Sequence, residues 1–211
     1  MKKQSLPFRI SILKTAAELK EAVQHRSLGY GRRSVALGGS LEMPEAGDAR
    51  AHGREILIAT SKMDGSIIGS LRLEINFYQP VSVQRYAQLP AEINSRRIMD
   101  ANRFCCFESN ICRAALFKAA IAYGASKDVD HFIIATLDKL VPLYASVGFA
   151  PLFDDGRMHP IPSAENLPHR IMELDVRNAR ALVVQRRPSV VDFLFDTDHS
   201  DDIQIDDAMA P

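Results

Sequence analysis

Apolar and polar residues alternate along Phe8–Leu13, which predicts a first strand. The period then lengthens: Ala16, Leu19 and Val23 recur at helical spacing behind Thr15, which forms a capping-box pattern with Glu18 three positions on. Leu28–Pro44 contains Gly29, Gly31, Gly38 and Gly39 and reads as a loop with room for a short helix. Two β-rich runs, Glu55–Ser61 and Ser66–Ile75, flank Met63-Asp64-Gly65, the strongest hairpin signal in the chain. Residues 76–97 read as an irregular connector with a helical turn. Ile98–Phe107 is a strand, and Asn110 and Arg113 open a helix whose other face is Ala115, Leu116, Ala119, Ala120 and Tyr123. His131–Thr136 is β-rich, a helix holding Tyr144 follows, and Gly148 is placed to end it as a left-handed cap before Phe149. Asp155-Gly156 marks a turn, Pro160, Pro162 and Pro168 punctuate a long loop, Arg170–Val176 alternates like a closing strand, and Ala179–Arg186 reads as a last short helix.

Strand, helix, hairpin, strand–helix–strand–helix and closing strand predict an α/β fold with a mixed, mostly antiparallel, twisted central sheet flanked by helices. We expect one domain over residues 1–190. Beyond it Asp192, Asp196, Asp198, Asp201, Asp202, Asp206 and Asp207 predict an acidic, flexible tail over 191–211, with Phe193, Leu194 and Phe195 able to dock its start.

Lysine plus arginine equals aspartate plus glutamate at 26 each, so bulk charge points to neither nucleic acid nor an anionic membrane. No apolar run approaches the roughly 18–20 residues of a membrane span. Met1–Pro7 has lysines but no export-signal core, so a cytoplasmic location is expected. The three cysteines, Cys105, Cys106 and Cys112, are clustered without a paired C-x-x-C motif and are expected to be reduced thiols. The histidines form no metal-binding pattern.

The order of elements through Ile98–Phe149, closing on Pro142-Leu-Tyr-Ala-Ser-Val-Gly-Phe149, resembles the thioester-binding half of the GNAT acyltransferases. Within that superfamily the chain resembles the N-acyl amino acid synthases and the acyl-homoserine lactone synthases. Ile98-Met-Asp100-Ala-Asn-Arg103-Phe104 matches their strand with an acidic residue and an arginine three positions on, with aspartate where glutamate is commoner. Arg72 falls where the family carries an arginine on the hairpin's return strand, able to pair with Asp100, and Arg26 and Tyr30 match an Arg-x-x-x-aromatic element over the acceptor site. Of the family's following pair of aspartates only Asp48 is visible, before Arg50, His52 and Glu55. The chain has no tryptophan, which the lactone synthases carry in their N-terminal loop.

The resemblance implies transfer of a long-chain fatty acyl group from an acyl carrier protein or acyl-CoA thioester to the amine of an amino acid or similar small molecule. It implies no tightly bound cofactor; the acyl-ACP or acyl-CoA is a co-substrate. Asp100 or Glu108, directly or through water, would deprotonate the amine, and Tyr144 would protonate the leaving thiolate or position the thioester. Arg26, Tyr30, Arg72 and Arg103 would bind the acceptor. Phe104, Cys105, Cys106, Phe107, Asn110, Arg113 and Thr136 would surround the thioester arm, with strand N–H groups over Phe104–Phe107 stabilising the oxyanion. The loop Glu108–Ala114 lacks the glycine-rich pyrophosphate motif, which suits a carrier protein's single phosphate held by Arg113. Phe104, Phe107, Phe117, Leu140 and Phe153 are candidates for an acyl tunnel. Arg96, Arg97, Arg113, Lys118, Lys127 and Lys139 could form a docking face for an acidic carrier protein. The rival readings are an acyl-homoserine lactone synthase, a generic acetyl-CoA N-acetyltransferase and a non-catalytic binding module of the same fold.

Overall fold

The computed structural model describes residues 2–32, 34–48, 51–106 and 109–205. In chain order its elements are β1 (Lys2–Lys3), β2 (Phe8–Ile12), α1 (Ala16–Gly31), α2 (Val35–Ser40), β3 (Arg54–Ser61), β4 (Ile67–Ile75), α3 (Ala91–Asn94), β5 (Ile98–Cys105), α4 (Asn110–Ser126), β6 (His131–Thr136), α5 (Val141–Ser146), β7 (Ala150–Pro151), β8 (His159–Ile161), β9 (Leu167–Asp175), α6 (Ala179–Arg186), β10 (Thr197–Asp198) and β11 (Ile203–Gln204). The chain divides into two compact units. Met1–Leu73, Arg103–Tyr123 and Thr197–Pro211 make the first; Glu74–Asn102 and Gly124–Asp196 make the second.

In the first unit the strand order is β11-β2-β3-β4. β2 runs antiparallel to β3, with Phe8 opposite Ser61 and Ile12 opposite Leu57, and its alternation buries Phe8, Ile10 and Ile12. The capping box forms as the sequence predicts: Thr15 Oγ1 accepts from the Glu18 N–H at 3.1 Å, and the Glu18 carboxylate accepts from the Thr15 N–H at 2.8 Å. The helix it starts covers β3 and β4 through Ala22, Ile56, Ile58 and Ile67. Gly65, at φ +76°, turns the chain between β3 and β4, supported by Asp64 Oδ1 accepting from the Ser66 N–H. The glycine-rich Leu28–Pro44 stretch is more helical than expected. α1 continues to Gly31, and Ser34 caps α2 by accepting from the Leu37 N–H. A Cβ on Gly38 would lie 2.6 Å from Gly31 Cα, so these glycines permit helix contact and do not mark disorder.

In the second unit the strand order is β5-β6-β9-β7. β5 and β6 are parallel, as a strand–helix–strand connection through α4 requires, while β9 runs antiparallel to β6 along its whole length. The register of β5 with β6 runs from Ile98–His131 to Ala101–Ile134; β5 continues to Cys105 and β6 to Thr136. Val83, Ile98, Ile133, Phe153 and Ile171 share one core cluster, so Phe153 packs in the core of the second unit. The proline-rich stretch is also more ordered than the expected loop. β8 and β9 form a hairpin with Pro160 opposite Pro168, tolerated because β8 is an edge strand pairing only with β9 among the described residues.

The expected flexible tail is corrected through Ile205. Asp192–Asp196 form a π-helical turn in the second unit, with Leu194 buried against Val183 and Val191. In the first unit β10 pairs with β1 and β11 pairs with β2. Asp202 is 3% exposed, accepts from the Leu6 N–H at 2.7 Å, and meets Lys62 Nζ at 2.6 Å. Net acidity predicted solvation, but this carboxylate has a backbone donor and a lysine, which offset the cost of burying it.

Candidate functional site

The first unit holds a buried charge network. α1 supplies Arg26, the turn after α2 supplies Glu45 and Asp48, β4 supplies Arg72 and β5 supplies Arg103. Asp48 takes Arg26 bidentately, Oδ1 from Nη1 at 2.9 Å and Oδ2 from Nη2 at 2.5 Å. Its Oδ1 also accepts from Arg72 Nη1 at 3.1 Å, and its Oδ2 from the Glu45 N–H at 2.8 Å. Glu45 grips Arg103 through Nε at 2.7 Å and Nη2 at 2.5 Å, and reaches Arg72 Nη1 at 3.3 Å. Gly47 is part of the construction, since a Cβ there would lie 2.7 Å from Arg72 Cζ. Tyr30 Oη donates to the Phe104 carbonyl at 3.3 Å.

Thus Arg26, Arg72 and Arg103 converge on one acidic pair, and Tyr30 touches the strand beside them. The expectation that Asp48 stands without an acidic neighbour is corrected: Glu45 is that neighbour, at the spacing Glu-x-x-Asp. The pair stands in Pro44-Glu45-Ala46-Gly47-Asp48, with glutamate in place of one of the family's two aspartates.

Burial works against both carboxylates, but arginine outweighs it. Asp48 is held below the usual range by Arg26 and Arg72, and Glu45 by Arg103, Arg72 and Arg26. Burial likewise disfavours the Arg26 charge, and Asp48 more than compensates. Because both folded-state pKa values lie below their unfolded values of roughly 4, the network's stabilisation is complete above that pH and is lost as pH falls through the lowered values. Urea midpoints measured from pH 6 to pH 2 should therefore fall less steeply in Glu45→Gln than in the parent chain; parallel curves would remove the network from the acid-stability account.

Arg103 has φ +54°, in the left-handed region that disfavours a bulky side chain. Its guanidinium is gripped twice by the Glu45 carboxylate. A left-handed residue here interrupts the simple side-chain alternation of an extended strand.

In the second unit Asp100 is 1% exposed and its Oδ2 accepts from the Val83 N–H at 2.9 Å. Glu74, also buried, accepts from the Ser82 N–H and hydroxyl and from Asn102 Nδ2. Burial pushes the Tyr86 hydroxyl pKa strongly upward, and the charges of Asp100 and Glu74 add to the shift, so Tyr86 stays a proton donor. Glu74 and Tyr86 carry no sequence signal of this contact: Glu74 is a strand residue of β4, and nothing in the irregular connector marks Tyr86 as turning back onto a strand. The expected Arg72–Asp100 pairing is not what organises Arg72 in its own unit; there its partners are Glu45 and Asp48.

Of the residues expected around the thioester, Phe104 and Phe117 meet edge to face at 5.2 Å, both half-buried. Cys105, Cys106 and Cys112 are buried as thiols, not as disulfides. Ser109 caps α4 by accepting from the Cys112 N–H at 3.2 Å. Asn110 is exposed at its first turn, and Arg113 follows with Nε buried and without a hydrogen-bond partner among the described residues. Thr136 is buried at the end of β6, and Leu140 is half-buried. Tyr144 is half-buried on α5, its ring 5.9 Å from Phe149. Gly148, at φ +97°, ends that helix as expected. Phe107, Glu108 and Arg50 lie outside the described residues.

The basic residues expected to form a docking face divide between the two units, Arg113 and Lys118 in the first and Arg96, Arg97, Lys127 and Lys139 in the second. Lys118 Nζ donates to the Thr197 carbonyl at 2.5 Å and lies 2.9 Å from His199 Nδ1, so the C-terminal segment occupies it. Arg96 and Arg97 instead line a polar hollow of about 530 Å³ with Asp128, Asp130 and Arg177, beside the first residue of β5. Among the described residues no group of three or more metal-ligating side chains occurs, and no helix is long and apolar enough to cross a membrane.

No family model matches the sequence, and no curated protein matches it. Solved structures do. FeeM, an N-acyl amino acid synthase from uncultured soil microbes, superposes with a TM-score of 0.65 at 15% identity, covering 85% of this chain and 97% of its own. BjaI, a CoA-dependent acyl-homoserine lactone synthase solved with MTA, gives 0.63 at 14% identity, covering 94% and 93%. An acyl-CoA N-acyltransferase from Pseudomonas aeruginosa gives 0.51 at 15% identity, covering 79% and 97%. The fold is therefore that of the GNAT-like acyl-CoA N-acyltransferases, a mixed sheet flanked by helices, as the sequence predicts.

Proposed function

We propose that the chain is an N-acyltransferase that moves a long-chain fatty acyl group from a thioester to the amine of an amino acid or similar small molecule. The observation that carries this reading is the β5–β6 ladder, which ends at Ala101–Ile134 although both strands run on. Backbone N–H groups on β5 beyond its last ladder partner would be available to a pantetheine arm and to an oxyanion. Asp100 would take the amine's proton, directly or through water, with Glu108 the alternative base. The thiolate leaves more readily when protonated, the role given to Tyr144.

Arg113 supports the donor end. Its buried Nε is an orphaned donor at the capped start of α4, where a phosphate oxygen from carrier-bound phosphopantetheine or CoA would satisfy it. The network of three arginines and two carboxylates leaves one net positive charge in the first unit, suited to an acceptor bearing a carboxylate. Arg26, Tyr30, Arg72 and Arg103 are its residues.

Likeness to BjaI favours a second reading, an acyl-homoserine lactone synthase. Lipid extracts of cells expressing the chain, analysed by mass spectrometry, separate the two: open N-acyl amino acids support the first and acyl-lactones the second. Extracts with neither, from cells in which the folded protein accumulates, would count against both.

A further inference from the structure

We propose that Cys106 and Cys112 are a redox-sensitive pair that closes to a disulfide on exposure to a small-molecule disulfide. Both lie against Gly69 on β4. From the point a Cβ would occupy there, Cys112 Sγ is 3.2 Å away and Cys106 Cβ 3.3 Å. The missing side chain leaves the two cysteines facing one small space. Cys106 Sγ also points to the start of α4, 3.5 Å from the Ser109 carbonyl, and Ser109 Oγ holds the Cys112 N–H. Cys105 is directed elsewhere, its Sγ 3.7 Å from the His25 carbonyl. A disulfide needs its Cβ atoms roughly 3.5–4.5 Å apart with both sulfurs turned inward; rotation of Cys106 about its first side-chain bond swings its Sγ from the Ser109 carbonyl towards the space at Gly69, and a shift of the α4 start sets the Cβ separation.

The exchange balances. Cys106, at 9% exposure the more accessible of the two against 0% for Cys112, attacks as thiolate one sulfur of the small disulfide. One small thiolate leaves, and a mixed disulfide remains on Cys106. Cys112, deprotonated, then attacks the Cys106 sulfur and expels the second small thiolate. Two protein thiols are oxidised, one small disulfide is reduced to two thiols, and two protons pass to solvent or to the departing thiolates. The link ties the end of β5 to the first turn of α4. Under the proposed function that is the donor-binding segment, so closure would impede thioester entry; formation of the link itself does not depend on that reading.

The test uses the full chain with Cys105→Ser, incubated with oxidised glutathione and digested with trypsin without reduction. Cleavage after Arg103 and Arg113 places the pair in one peptide, Phe104–Arg113. That peptide should be lighter by two hydrogens, with its mass restored by dithiothreitol. Cys106→Ser should instead give no internal link. Glutathione adducts alone, or two unmodified thiols in the Cys105→Ser peptide, would overturn the proposal. Should Cys105→Ser fail to fold, fragmentation of the parent peptide between Cys106 and Cys112, compared with the Cys106→Ser peptide, gives the same decision. Because mass is the readout, absence of acyl transfer would not be mistaken for absence of the link.

Discussion

Asp48→Ala is expected to lower the unfolding free energy by about 3–5 kcal/mol, measured by urea titration at neutral pH. The carboxylate has a fully buried side chain and is shared by two guanidinium groups whose own side chains are 4% and 8% exposed. Its removal leaves Arg26 without its hydrogen-bonded carboxylate in a place water reaches poorly, and Arg72 with the longer contact to Glu45. Breaking one partner of a buried pair costs far more than the pair's net contribution, because the surviving charge keeps its desolvation penalty. Replacing both partners, as in Arg26→Met with Asp48→Leu, should therefore recover most of the loss in stability while abolishing acceptor binding. A cost below about 1 kcal/mol for Asp48→Ala would mean that the network is solvated and organises nothing.

Asp100→Asn is expected to reduce turnover by about 10²–10⁴-fold at neutral pH, the range general-base catalysis supplies. Asparagine still offers an oxygen to the Val83 N–H, so stability should fall by only about 1 kcal/mol. The rate should then depend on amine that has already lost its proton. It should climb about tenfold per pH unit towards the amine's pKa, roughly 8 for an α-amino group. A variant with parental turnover and pH profile would leave Asp100 as the residue that fastens Val83 to β5 and pass the base role to Glu108.

The parts of the fold legible in the sequence are those fixed by local chemistry. Thr15 and Glu18 determine a helix start between them, Asp64-Gly65 determines a reversal, and Gly148 determines a helix end, each through backbone geometry a few residues can satisfy alone. What escaped depends on partners distant in the chain. Asp202 looks like one more tail aspartate until the Leu6 N–H and Lys62 are brought to it. Glu45 gains its meaning only when the turn before Asp48 sets it against Arg103, on a strand 58 residues later. Arg103's positive φ has no glycine-like signal in the sequence and accompanies that same contact. The arginines were accessible from the resemblance because their spacing is carried by elements the sequence predicts well; the acidic turn between those elements was not.

The most direct test is a stoichiometric one with purified protein, a long-chain acyl thioester and a panel of amino acids. Free thiol and N-acyl product are followed together. The account predicts that they appear in equal amounts for at least one acceptor carrying a carboxylate, and that both fall together in Asp100→Asn. Thiol released without N-acyl product, or thioester bound and never turned over with any amine, would contradict it.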